Sequence, residues 1–291
     1  MSAVTARADA LPGRGSGRVA RRVARAGVYV VLIAAAVFYV IPVYLLFMTG
    51  MKSFAEAANQ ALMWQLPQAA SFDSFAEAWR EISPNFMNSV LIAVPAAVLS
   101  SLLGSLNGYI LAKWRFRGSE TLFTLILFGM FIPYQSILIP LLKVESAVGL
   151  YNTLLGLVVI HIIYGIPITT LIFRNYYVGI PNELVEASRM DGAGFFGIYR
   201  HVLLPLSVPG FVVVLIWQFT SAWNDFLFAV TLTGQVNWPI TVAVNNLAGS
   251  FEVAWNVQMA GALIAAVPTL LIYVLLGKYF MRGLLAGSLK G

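Results

Sequence analysis

Six stretches of about twenty residues with almost no charge recur along this chain, and they decide what it can fold into. They cover residues 28–48, 88–112, 122–142, 154–173, 206–231 and 259–279. A helix needs about 20 mostly apolar residues to cross the hydrocarbon core of a bilayer. Composition agrees: 59% of the residues are hydrophobic and only 10% are charged, with a mean hydropathy of +0.82. Soluble domains carry roughly 25% charged residues. The expected fold class is therefore all-α, a polytopic membrane protein with six transmembrane helices. The first run is too long for the apolar core of a signal peptide, about 7–15 residues, and is read as a retained span. Cysteine is absent, which excludes disulfide frameworks, cysteine metal sites and thiol catalysis.

The net charge of +6 does not point to nucleic acid. Basic residues flank the apolar runs and form no stripe interleaved with aromatics. Fifteen of the 18 lysines and arginines fall in one set of segments: the N-terminal tail, 113–120, 174–205 and the C-terminus. The other loops hold only Lys52, Arg80 and Lys143. The positive-inside bias places both termini and the 174–205 loop in the cytoplasm of a multi-pass protein of the bacterial inner membrane. Residues 1–26, rich in Gly, Ala and Arg, are expected to form a mobile basic tail ahead of a transmembrane domain spanning 27–291.

The loop 179–205 is the informative stretch. Pro181 suits a helix first turn, where its missing N–H costs nothing, and Glu183 and Glu186 follow where carboxylates favour the positive end of the dipole. Leu184, Ala187 and Ser188 share one face. Asp191-Gly192 reads as a stop, with Gly192 free to take positive φ. A second amphipathic stretch (Phe195, Phe196, Ile198, Tyr199, Val202, Leu203) leads to Pro205. On pattern alone this is a cytoplasmic helix–turn–helix, and an interfacial connector explains it as well as a functional element does.

Glu186-Ala187-Ser188, then Gly192-Ala193 and Leu204-Pro205, resemble the EAA motif in permease subunits of ATP-binding-cassette importers. Ser188 replaces the usual third Ala, small for small. Asp191-Gly192-Ala193, Pro209-Gly210 and the C-terminal Tyr279-Phe280-Met281-Arg282-Gly283 with Ala286-Gly287-Ser288-Leu289-Lys290-Gly291 are similar to the carbohydrate-uptake branch, in the manner of the maltose importer's shorter permease. The resemblance covers about residues 25–291. It implies a permease domain whose loop docks on a separate ATPase dimer, with Glu186, Ala187, Ser188, Arg189, Asp191, Gly192, Ala193 and Pro205 as the coupling residues. It further implies a second permease subunit in a heterodimer, an external sugar-binding protein, a sugar substrate and surrounding lipid. The Lys290-Gly291 tail would reach the ATPase interface. The chain has no Gly-x-x-x-x-Gly-Lys-[Ser/Thr] phosphate loop. No cofactor, metal or catalytic residue is therefore expected here; ATP and Mg belong to the partner ATPase.

Polar residues inside the runs are candidates for the substrate pathway: Gln135, Gln218, Asn224 and Asp225. An intramembrane carboxylate costs about 2.5–3.5 kcal/mol on insertion scales. Asp225 therefore either lines the bundle interior or caps a helix where the span ends. For Gln135 and Gln218 sugar contact competes with interhelical hydrogen bonding. His161 is expected to be a packed, hydrogen-bonded histidine. Pro95, Pro133, Pro140, Pro167 and Pro268 would kink spans. The outer loop 52–86, with Glu56, Asp73, Glu77 and Glu81 against Lys52 and Arg80, would receive the external binding protein together with 232–257. Residues 238–247 and 256–260 look similar to glucose/mannose-type members. The alternatives are a secondary transporter, which should show an internal repeat, and a membrane enzyme, which would want clustered carboxylates for a metal.

Overall fold

The computed structural model describes residues 16–114, 116–249 and 253–288. Long helices α1 (Ser16–Gly50), α3 (Asp73–Lys113), α6 (Leu154–Val178) and α13 (Trp255–Ser288) alternate with shorter ones: α2 (Phe54–Ala58), α4 (Ser119–Phe128), α5 (Tyr134–Ala147), α7 (Asn182–Met190), α8 (Phe195–Ile198), α9 (Leu204–Leu206), α10 (Val208–Trp223), α11 (Leu227–Leu232) and α12 (Ile240–Asn246). No strand occurs among the described residues. Among the described residues four helices are each long and apolar enough to cross a bilayer, and two bent pairs bring the number to six when each pair counts once.

One bent pair lies in a run that the sequence presents as continuous, and the other joins the 179–205 loop to the fifth run. The third run breaks by 98° between Ser119–Phe131 and Tyr134–Ala147. Pro133 is the cause: it lacks an N–H and drives the preceding residue out of the helical region, and Ile132 sits at φ −77°, ψ 117°. The second bend, 78° at Ser207, separates Phe195–Leu206 at the end of the loop from Val208–Trp223, the helix of the fifth run. That helix ends at Trp223, short of Asp225. The other prolines expected to kink spans (Pro95, Pro140, Pro167 and Pro268) lie inside uninterrupted helices.

Helix boundaries also differ from the hydropathy reading. The helix containing the second run starts at Asp73, with 41 residues, about 60 Å at 1.5 Å per residue against a hydrocarbon core of about 30 Å. Its first turns carry Asp73, Glu77, Arg80 and Glu81, which end a hydropathy window but not a helix. Buried Ser74, Ala78 and Ile82 hold that extension on the bundle. α1 likewise begins at Ser16, so residues 16–26 are helical where a mobile tail was expected. Residues 1–15 and Lys290-Gly291 lie outside the described residues.

Small side chains set the bundle's core. Gly104 meets Thr169 so closely that a Cβ there would clash, and a Cβ on Gly108 would come within 2.7 Å of the Arg174 backbone nitrogen. α3 and α6 therefore pack backbone to backbone, as small residues permit in membrane helices. Buried Thr169 donates to the Ser100 carbonyl at 3.1 Å across this contact. At one end α12 is clipped to α3: Ser89 Oγ accepts from the Ile240 N–H at 2.8 Å, and the Trp238 carbonyl accepts from both Asn85 and Asn88.

Lys52 is buried, and its ammonium donates to the carbonyls of Leu62 and Met63. Desolvation pulls its pKa below the ordinary lysine value. Glu56 accepts from the N–H groups of Gln68 and Ser53, which hold its carboxyl below the usual range.

Candidate functional site

The loop 179–205 folds as a helical elbow. Pro181 is extended at φ −57°, ψ 139°, and α7 starts one residue later. Gly192 adopts φ +84°, the left-handed conformation that L side chains resist, and reverses the chain between α7 and α8. After α8 the backbone widens into a π-turn at Tyr199–Leu203 and enters α9 and Pro205.

Two faces of the elbow differ in chemistry. The inner face is locked to the spans: Val185, Ile198, Tyr199 and Leu203 join Tyr109, Phe173, Tyr177 and Val214 in one buried cluster. Tyr109 stacks on Phe195 and Tyr199 with ring centroids 4.7 and 5.7 Å apart. Ser105 Oγ lies 2.6 Å from Tyr177 Oη and 2.9 Å from Tyr199 Oη, and Tyr177 also donates to Ser207 Oγ at 3.2 Å. Two spans, the π-turn and the break at Ser207 thus meet in one hydroxyl network. Hydropathy gave no sign of it; serines and tyrosines recurring on helix faces toward the loop were the available signal.

The outer face is open and carries Glu186, Ala187, Asp191 and Gly192, together with large apolar groups: Met190 is 88% exposed and Phe196 is 72% exposed. Arg189 is turned back, its guanidinium 4.5 Å from the Trp114 ring centroid. Ser188 is satisfied within α7, donating to the Leu184 carbonyl at 2.7 Å. Ala193 packs toward the inner cluster.

A second feature lies in the bundle. A cavity of about 710 Å³ is walled by α6, α10, α11 and the break between α4 and α5; its polar lining includes His161, Tyr164, Gln218, Ser221, Asn224 and Asp225. Gln218, Asn224 and Asp225 are brought together here. Gln135 is exposed and lies outside the wall, one residue beyond lining Tyr134. Both alternatives for Asp225 hold at once. Its carboxylate caps α11 through the N–H groups of Phe228 and Ala229 (3.4 and 3.1 Å) and also faces the cavity. Gln218 is buried and donates to the His161 carbonyl at 2.8 Å, an interhelical bond made by a cavity residue. His161 differs from expectation: it is buried, yet its ring makes no hydrogen bond among the described residues, and Nε2 stands 3.6 Å from Asp225 Oδ2.

Residues 104–285 match the protein family described as binding-protein-dependent transport system inner membrane component. A probable ABC transporter permease of Pyrococcus horikoshii is 50% identical over 90% of this chain and 96% of its own length. The xylose/arabinose import permease of Haloferax volcanii is 36% identical over 91% of this chain and 92% of its own. The glucose import system permease of Saccharolobus solfataricus is 30% identical, covering 90% and 95%. In fold, the chain resembles the crystal structure of a bacterial ABC transporter involved in import of the polysaccharide alginate, with a TM-score of 0.75 at 22% identity, over 93% of this chain and 99% of that one.

Proposed function

This chain belongs to the family of binding-protein-dependent inner-membrane transport components and is a permease subunit of an ABC importer; we propose that its solute is a sugar and that the 179–205 elbow docks on a separate ATPase. The sugar reading is supported by the relatives, whose names include xylose/arabinose and glucose import permeases. The docking reading rests on one observation above all: the elbow is buried on one face against three spans and leaves Met190 and Phe196 exposed on the other. A rigid outer face fused to the bundle carries a push from a partner into the spans. The lysine and arginine distribution supports a cytoplasmic elbow and cytoplasmic termini. In this reading a second permease subunit completes the pathway, an external binding protein delivers the sugar, and ATP with Mg is bound by the ATPase dimer.

The test is reconstitution in proteoliposomes with the partner permease, ATPase and binding protein. ATP-dependent sugar uptake that vanishes without the ATPase is expected. A bare chain that moves solute on an ion gradient would overturn the reading.

A further inference from the structure

The cavity wall holds more hydrogen-bonding capacity than the protein uses. Among the described residues, the His161 ring, the Tyr164 hydroxyl and the side chains of Ser221 and Asn224 all border the cavity, and none has a protein hydrogen-bond partner. Polar groups at membrane depth are costly when unsatisfied. Here they converge on one space, about 10 Å along α6 from Leu154 at 1.5 Å per residue. The same space is lined by aromatic rings: Tyr134 and Tyr164 pack against Phe228 at 5.3 and 5.1 Å, and His161 meets Phe228 edge-on at 6.0 Å. Aromatic faces beside directional donors and acceptors match a polyhydroxylated ring, apolar on its C–H face and polar at its rim. The volume lies within the range of small-molecule pockets, about 300–1,000 Å³.

The charge of the wall narrows the class. Asp225 is the cavity's carboxylate, and no lysine or arginine lines the cavity among the described residues. A sugar acid would bring a second negative charge beside Asp225 in a poorly screened site; a neutral sugar would not. The gap of 3.6 Å between His161 Nε2 and Asp225 Oδ2 is too long for a good hydrogen bond. A hydroxyl set between them, donating to the carboxylate and bonded to the imidazole Nε2, fits both groups.

We propose that this subunit itself holds the transported sugar: a neutral sugar of one or two rings binds in this cavity, with Asp225 and His161 on its hydroxyls and Phe228 and Tyr164 against its ring. The proposal rests on the sugar-importer reading but adds a site on this chain, separate from any contact in the partner permease.

Saturation-transfer NMR on the complete detergent-purified importer, without its binding protein, tests it with glucose, xylose and glucuronate as probes. Transfer to one or both neutral sugars and none to glucuronate is expected. Asp225→Asn keeps an oxygen to cap α11 while removing the charge, and His161→Phe keeps the ring packing while removing both nitrogens. Each is expected to weaken neutral-sugar binding about tenfold or more, the size of one charge-assisted hydrogen bond. Gln135→Ala, outside the wall, should leave the signal intact. No neutral-sugar signal in the wild type, an equal glucuronate signal, or unchanged binding in both cavity variants would each overturn the proposal. ATP-dependent uptake by the wild-type complex, measured alongside, separates that failure from failure of the importer reading.

Discussion

The hydroxyl oxygens of Tyr177 and Ser105 lie 2.6 Å apart, tying α6 to α3 at the depth where the elbow's π-turn adds the Tyr199 hydroxyl to the same serine. Removing the Tyr177 oxygen leaves its ring stacked on Phe173 but strips two bonds, to Ser105 and to Ser207, from a buried network. Tyr177→Phe should cost about 2 kcal/mol, the sum of two such bonds, read as a lowered midpoint in thermal unfolding of the purified complex. It should also reduce the sugar moved per ATP hydrolysed, because the elbow would slip against the spans it drives. A stability loss with an unchanged ratio would assign the network to packing alone.

Gly192 separates conformation from space. A Cβ there would meet nothing within 4 Å, yet φ is +84°. An L residue in the left-handed region costs about 1–2 kcal/mol, least for Asn. Gly192→Asn should therefore be nearly silent, Gly192→Ala intermediate, and Gly192→Pro, whose ring fixes φ near −65°, should leave membrane insertion intact but abolish stimulation of the ATPase. Equal activity in all three would show that the turn tolerates other geometries.

That turn was legible because glycine after aspartate at the end of an amphipathic stretch has few other uses. The elbow, its glycine and its amphipathic second half all follow from local pattern, as do the six apolar runs. The bends were harder. Pro133 breaks its run while Pro167, in a run of similar hydropathy, does not, since helix neighbours decide whether the freed carbonyl finds a partner. The His161–Asp225 approach joins residues 64 positions apart and depends on how α6 packs on α10, which no local pattern encodes. Hydropathy also began α3 too late, because a helix that rises past the bilayer trades lipid-facing apolar groups for charges without losing its hydrogen bonds.

The close approach of α3 and α6 carries its own test. A Cβ on Gly108 would fall 2.7 Å from the Arg174 nitrogen and 2.7 Å from the Phe173 Cβ, atoms of a packed helix that cannot turn aside. Gly108→Ala should destabilise by about 1–3 kcal/mol, the usual cost of overpacking, and lower the yield of folded protein in detergent. Gly118→Ala is the comparison: nothing lies within 4 Å of its Cβ, and only its φ of +89° opposes the change. A milder Gly108 variant than Gly118 variant would contradict the packing account.

The segment around Glu56 should be acid-sensitive. Its carboxyl is held below the ordinary value first by the Gln68 N–H and then by the Ser53 N–H. A depressed carboxylate contributes stability that is present above the unfolded pKa, 4.5, and is lost as pH falls through the folded value. Lys52, lowered by desolvation, has the opposite charge but the same slope: the unfolded chain holds its proton longer, so stability rises with pH in the window just below 10.5. Amide exchange at Gln68 should quicken as pH drops below about 4.5 beyond the intrinsic trend, and Glu56→Gln should remove that dependence. An identical exchange profile in the variant would assign the protection to something other than the carboxylate.

Phe195 and Phe196 are chain neighbours with opposite roles, which makes them the sharpest test of the docking face. Phe195 stacks on Tyr109 and tilts against Trp114, while Phe196 is 72% exposed and close in sequence to the outward Met190. An exposed aromatic does little for the chain's own stability, since surface changes usually stay within about 0.5 kcal/mol. Phe196→Glu should therefore keep the unfolding midpoint and lose the co-purifying ATPase, because a carboxylate in an apolar contact would be buried without a partner. Phe195→Glu should lower the midpoint first and lose the ATPase as a consequence. Retention of a full complement of ATPase by the Phe196 variant would move the docking surface off this face, and with it the physical reason for a rigid elbow fused to three spans.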